Sequence, residues 1–179
     1  KTVQLASHGA KVTSVDKSAS RLEILKSNLK RLKLTSELIN KDILKYKFNK
    51  NWSKILLDAP CSSTGILRRH PDIMHNKDEK EVLLLTSIQE KLLEKSWSVL
   101  NQNGFLIYCT CSLEKEEGED QIEKFLKKYK DARIDKILES EVAGIEESIS
   151  KRGWLRILPH HYNDEGGIDG FFIARLKKV

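Results

Sequence analysis

The sequence predicts an α/β fold built on a largely parallel sheet. Short apolar runs alternate with stretches of helical periodicity, as expected when each helix carries the chain back to start the next parallel strand. Ile55, Leu56 and Leu57 form an apolar run flanked by polar residues, the pattern of a strand buried on both faces. Acids also close three candidate strands. Asp16 and Asp58 end the first and third, and Asp42 lies just past the second. In open parallel sheets, ligands bind outside the carboxyl ends of the strands.

The elements follow in order. Residues 11–16 (KVTSVD) predict a strand. Ser18 is placed to cap the next helix, whose apolar face is Leu22, Leu25, Leu29 and Leu32. Residues 37–40 predict a second strand and residues 55–58 a third, followed by a loop through Pro60, Ser62, Ser63 and Gly65. Asp78 with Glu81 has the form of a capping box. It opens a long helix marked by Leu85, Ile88 and Leu92, which should reach about Leu100 and be broken by Asn103 and Gly104. A strand over residues 105–109 comes next. The helix after it has Glu114, Glu116, Glu117 and Glu119 near its start and Lys124, Lys127 and Lys128 near its end. That distribution matches the helix dipole, and Ile122, Phe125 and Tyr129 give the apolar face. Residues 131–152 carry no clear period. Residues 155–158 and 170–176 predict closing strands, the last able to pair antiparallel as a hairpin.

Composition narrows the function. The 179 residues suit one domain, and 39% hydrophobic content supports one core. Lysine and arginine outnumber aspartate and glutamate by 32 to 26, giving +6, which favours a polyanionic partner. No apolar run is long enough to span a membrane, and no secretory leader is visible. Three cysteines, an odd and sparse set, argue for reduced thiols in a cytoplasmic protein rather than a disulfide-stapled secreted one. The chain begins at Lys1 and its single methionine is Met74, so a piece of a longer protein is expected.

Two segments concentrate chemistry. DAPCSSTG (residues 58–65) sets a carboxylate, a proline and a cysteine directly after a strand, and the proline holds Asp58 and Cys61 in a stiff relation. The competing reading is an ordinary turn with a buried thiol. YCTCS (residues 108–112) ends the next strand. Cys109 belongs to that strand and Cys111 to the loop at the sheet's active edge. The acids that follow would oppose a thiolate, so an activated Cys111 needs backbone donors or a cation. Asp16 suits ribose hydroxyls or, more plainly, a helix cap, and Asp42 alone says less. Zinc held by Cys61, Cys109, Cys111 and a histidine is not favoured, because C-x-x-C pairs are missing, and no metal is expected. A cysteine protease would need His160 or His161, which stand in no diagnostic context. Arg68, Arg69 and His70 either hold phosphates or are solvated surface. The lysines of residues 41–54 and the Lys177–Lys178 tail read as solvating charge.

Together, DAPCSSTG and the TCS found about fifty residues later resemble motifs IV and VI of the S-adenosylmethionine-dependent RNA cytosine-5 methyltransferases. The ending GWLRILPHHYNDEGGIDGFFIARL (residues 153–176) is similar to the Sun/Fmu (RsmB) branch, whose members methylate 16S ribosomal RNA. The resemblance implies a Rossmann-like class I methyltransferase sheet with flanking helices, over residues 1–179. It implies Cys111 as the nucleophile, Cys61 as the cysteine that helps product release, and Asp58 as the group that contacts the cytosine ring near the cofactor. Asp16 and Asp42 match the cofactor acids toward ribose and adenine. Lys1 and Thr2 match the last letters of the PGGKT loop, which implies that the rest of that loop, the central first strand before it and the N-terminal RNA-binding region are not in this chain. Weak cofactor binding by these residues alone is then expected.

S-adenosylmethionine and RNA are the expected cofactor and partner, with a monomer in the cytoplasm. Arg68 and Arg69 would touch the RNA backbone. Alternatives are a non-catalytic RNA-binding remnant, an enzyme for another RNA such as tRNA, or a methyltransferase acting on DNA or protein. DNA cytosine-5 enzymes carry their nucleophile in the PC motif, so the additional TCS cysteine favours RNA.

Overall fold

The computed structural model describes residues 1–73 and 78–179. The helices are α1 (Thr2–Ser7), α2 (Ala19–Arg31), α3 (Glu79–Ser98) and α4 (Glu119–Lys128). The strands are β1 (Thr13–Asp16), β2 (Glu37–Asn40), β3 (Trp52–Asp58), β4 (Leu100–Thr110), β5 (Ala132–Ile134), β6 (Leu155–Ile157) and β7 (Phe171–Lys178). The chain divides into two compact units, Lys1–Asn49 and Lys50–Val179.

In the first unit β1 and β2 run parallel, from Thr13 opposite Glu37 to Asp16 opposite Asn40. Ser18 begins α2, its hydroxyl accepting from the Arg21 N–H at 3.3 Å. Leu22 and Leu29 are buried and Leu25 is half-buried, while Leu32 lies just past the helix and is 40% exposed. The Asp16 carbonyl accepts from the Asn40 side chain at 3.0 Å and from the Lys41 N–H at 3.2 Å, closing the carboxyl ends of the pair.

In the second unit the strand order is β3-β4-β7-β5, with β6 also on β7. β3 and β4 are parallel and every pairing of β7 is antiparallel, so the sheet is mixed. β4 occupies one edge of β7, and β5 and β6 share the other, β5 near Leu176 and β6 near Ile173. β1 pairs only with β2 and β3 only with β4. Each therefore leaves one edge without a strand partner among the described residues.

Three expectations are corrected. The long helix ends at Ser98, and Asn103 and Gly104 lie inside β4 instead of breaking a helix. Between the pairs Trp52–Leu100 and Lys54–Phe105, β4 bulges. Asn103 sits at φ +61° there, and a Cβ on Gly104 would stand 2.7 Å from the Asn101 carbonyl. Second, β3 is not buried on both faces. Only Leu57 is buried, because β3 is the edge of its sheet and Ile55 and Leu56 remain half-exposed. Third, Lys178 is not solvating charge. Its ammonium donates to the carbonyls of Trp97 (3.0 Å) and Leu100 (3.2 Å), satisfying acceptors where α3 ends and β4 begins.

β4 and β7 define the core by alternation. Leu106 faces Leu176, Tyr108 faces Ala174 and Thr110 faces Phe172, and all six are fully buried. Each large apolar side chain in this row contributes about 2 kcal/mol by leaving water. Trp97 of α3 meets Phe125 of α4 edge-on, with centroids 5.2 Å apart. Phe171 and Ile173 point to the other face of β7, where Ile137, Leu155 and Ile157 form a second cluster.

Candidate active site

β3 delivers Asp58 and, through the following loop, Cys61. β4 delivers Cys111. Parallel register puts Asp58 opposite Cys109, so both segments leave the sheet at the same end. Ala59 N–H donates to the Cys109 carbonyl at 3.0 Å, continuing the ladder. Gly65 N–H donates to the Cys111 carbonyl at 2.9 Å, and Gly170 N–H donates to the Gly65 carbonyl at 2.7 Å. Three backbones meet here, and only glycine fits. A Cβ on Gly65 would stand 2.2 Å from the Gly170 oxygen and 2.8 Å from the Cys111 oxygen. Gly65→Ala is therefore expected to lower unfolding stability by about 3 kcal/mol in urea denaturation, from forced backbone displacement.

The loop brings the two cysteines together. The Sγ atoms of Cys61 and Cys111 are 3.4 Å apart, both half-buried and both free thiols. Ser63 Oγ lies 3.5 Å from Cys111 Sγ. Ser63 holds φ +63°, an uncommon conformation for a residue with a Cβ, at the point where the loop turns toward Cys111. A hydrogen bond from Cys61 draws the Cys111 thiol down to about 6, with burial opposing and the Ser63 hydroxyl assisting. The same bond raises Cys61 far above the ordinary thiol range, and burial adds to it. Side-chain donors thus lead the effect on Cys111, where the sequence reading required backbone donors or a cation.

Beneath this pair lies Glu117, fully buried. Its carboxylate accepts from Ser62 N–H at 3.0 and 3.1 Å, from the Ser62 hydroxyl, and from Gln89 Nε2 at 2.9 Å. Gln89 also donates to the Pro60 carbonyl at 2.8 Å. The Glu117 carbonyl accepts from Tyr108 Oη at 2.8 Å and Thr110 Oγ1 at 3.4 Å. The Ser112 hydroxyl lies 3.1 Å from the Ser62 hydroxyl and caps the Glu114 N–H at 3.0 Å. Sequence reasoning missed this network. Glu117 precedes α4, in a short 3-10 turn, and in sequence it looks like one more acid of a dipole-matching run. The one available signal was Gln89, a polar residue at helical spacing between Leu85 and Leu92 on the apolar face of α3.

The remaining candidates are placed as follows. Asp58 is exposed at the end of β3, with Cys109 Sγ 3.7 Å from its Oδ1. Cys109 is buried within β4, the strand residue expected. In the first unit, Asp16 Oδ1 accepts from Ser18 N–H at 2.8 Å and Asp42 Oδ1 from Leu44 N–H at 3.0 Å. Both acids sit at the carboxyl end of the β1–β2 pair, half-buried, and Lys1 precedes α1 as its N-cap residue. Arg69 is paired with Asp169 at 2.5 Å and Arg68 donates to the Gly166 carbonyl at 3.1 Å, so both are engaged by the C-terminal loop. Arg156, in the ending that carries the branch resemblance, forks onto Glu119 and donates to the Ser112 carbonyl, next to Cys111. His161 is buried with Nδ1 2.8 Å from the Ser148 hydroxyl.

Among the described residues no helix is long and apolar enough to cross a membrane. The family model for the 16S rRNA methyltransferase RsmB/F matches residues 1–177. Ribosomal RNA small subunit methyltransferase B of Shewanella oneidensis is 38% identical over 172 residues, which cover 94% of this chain and 38% of that protein. The chain thus spans less than half the length of the curated relatives it matches. Among solved structures, NSun6 from Pyrococcus horikoshii with SFG is similar at TM-score 0.82 and 27% identity, over 99% of this chain and 44% of that one. A methyltransferase homolog protein from Pyrococcus horikoshii is similar at TM-score 0.74 and 30% identity, over 95% and 54% respectively. The mixed α/β architecture is therefore that of the Rossmann-like methyltransferases. The match over almost every residue, together with the paired PCS and TCS segments, assigns the chain to the 16S rRNA methyltransferase RsmB/F family.

Proposed function

We propose that this chain is the catalytic part of an enzyme that transfers a methyl group from S-adenosylmethionine to C5 of a cytosine in 16S ribosomal RNA, through a covalent adduct at C6. The observation that carries the reading is the 3.4 Å approach of Cys61 and Cys111, with Cys111 the more acidic of the two. C5 of cytosine is a poor nucleophile. A thiolate adding to C6 breaks the aromatic system and gives C5 enamine character. A thiol drawn down to about 6 is largely thiolate at neutral pH, which suits Cys111 to that addition.

Cys61, held protonated, then serves the last stage. After methylation the C5 proton leaves to solvent water and its C–H electrons re-form the ring double bond. The Cys111–C6 bond breaks with its electron pair returning to sulfur, a leaving thiolate that the Cys61 thiol stabilises by its hydrogen bond. Asp58 stands at the strand end beside Cys109 and would steady the ring at N3 as charge develops. The donor group itself supplies an electrophilic methyl on a sulfonium. Asp16 and Asp42, at the carboxyl end of parallel strands, are suited to a ribose and an adenine, and Lys1 to the loop nearby. The target base must leave its stack to reach the thiolate. The expected setting is the cytoplasm, with the protein acting as a monomer.

The test is transfer of tritium from labelled S-adenosylmethionine to unmodified 16S ribosomal RNA by the intact protein. Label at C5 of one cytosine is expected. Label at another atom overturns the chemistry, and labelling of tRNA in place of 16S RNA overturns the substrate.

A further inference from the structure

We infer that Glu117 is a positioning residue that sets the Cys61–Cys111 distance. Glu117 is gripped from both sides. Its backbone carbonyl is bound by Tyr108 and Thr110 of β4, the strand that ends at Cys111. Its side chain holds Ser62, the neighbour of Cys61, by both backbone N–H and hydroxyl. Gln89 braces the same arrangement, donating to Glu117 and to the Pro60 carbonyl on the other side of Cys61. One buried residue therefore links the strand carrying one thiol to the loop carrying the other.

The arrangement favours an acceptor without donors. Ser62 N–H, Ser62 O–H and Gln89 N–H all point at the carboxylate. A glutamine at position 117 keeps one acceptor oxygen and turns its amide N–H₂ toward the Ser62 hydroxyl, which must then rotate to accept, so the charge-assisted bond from Ser62 O–H is lost. Gln89 cannot relieve the conflict by flipping its amide, because its oxygen would then face the Pro60 carbonyl. The loop is then held less tightly, and the hydrogen bond from Cys61 to Cys111 weakens with it. Charge alone would act the other way on the thiols: a nearby carboxylate disfavours a thiolate, so neutralising it would lower a thiol's ionisation point. A rise on neutralisation thus separates positioning from simple electrostatics.

The experiment measures the pH profile of iodoacetamide alkylation of Cys111 in the intact protein, resolved from Cys61 and Cys109 by peptide mass spectrometry. The wild-type midpoint is expected near 6. Glu117→Gln should raise it by about one unit, the scale of one lost hydrogen bond to a charged group. Glu117→Asp, which keeps the acceptor-only character, should recover part of that shift. A stability loss with an unmoved midpoint, or a downward shift, overturns the inference. Should Glu117→Gln fail to fold, Ser62→Ala deletes one of the three donors, and its midpoint must also rise for the inference to stand.

Kinetics give a second readout, which rests on the proposed function. Glu117→Gln should lower kcat about tenfold while KM for RNA and for S-adenosylmethionine stays within about twofold. If wild-type protein forms no Cys111–cytosine bond, the proposed chemistry fails, yet the alkylation profile still decides the role of Glu117.

Discussion

Cys111→Ala is expected to abolish methyl transfer, by at least about a thousandfold in kcat, with melting temperature nearly unchanged. The size of the effect follows from the role proposed for the thiol. Without addition at C6 there is no enamine at C5, and no neighbouring group can replace it. Cys61 is 3.4 Å away but is held as the donor, far above the thiol range, and so is not a ready nucleophile at neutral pH. Cys111→Ser should be equally inactive, since a serine hydroxyl does not ionise near pH 7. The side chain is half-buried in a loop, so its truncation opens little cavity. The measurement is single-turnover tritium transfer, with thermal unfolding as the control. An active Cys111→Ala protein would remove this residue from the chemistry.

Cys61→Ala is expected to give the opposite phenotype in one respect: RNA that stays covalently attached through denaturing electrophoresis. In the proposed mechanism addition at C6 needs only Cys111, whereas release needs a group near the adduct to assist. With Cys61 gone the adduct forms and persists. The same substitution removes the leading hydrogen bond to Cys111, so the Cys111 ionisation point should rise from about 6 toward the ordinary thiol range. At pH 6.5 adduct formation should then be slower than at pH 8, since less thiolate is present below the new midpoint. A retained complex in Cys111→Ala and none in Cys61→Ala would exchange the two roles.

How much of this could be read without the structure depends on the range of the interactions involved. β2 matches the residues 37–40 read as a strand, and Ser18 caps α2 as expected, because both depend on residues close in the chain. The placement of Cys109 in a strand and Cys111 just past it follows from the same local pattern. Asn103 and Gly104 misled for an instructive reason. They are breakers by propensity, yet here they form a bulge, because pairing with β3 continues on both sides of them. Lys178 reads as tail charge because nothing nearby in sequence shows that the end of α3 will need a donor.

By itself, then, the sequence determined the α/β class and the order of the main elements and singled out Cys61 and Cys111 as the pair to examine, since these are carried by periodicity and by two short motifs. Only the tertiary structure decided how that pair is arranged. The approach of the two sulfurs, the glycine contact of Gly65 with Gly170, and the burial of Glu117 under Ser62 join residues about fifty or more positions apart. No local pattern encodes such meetings. They arise where the β3–β4 register and the packing of α3 and α4 bring separate strand ends together, and there burial alone separates Glu117 from the surface acids beside it in sequence.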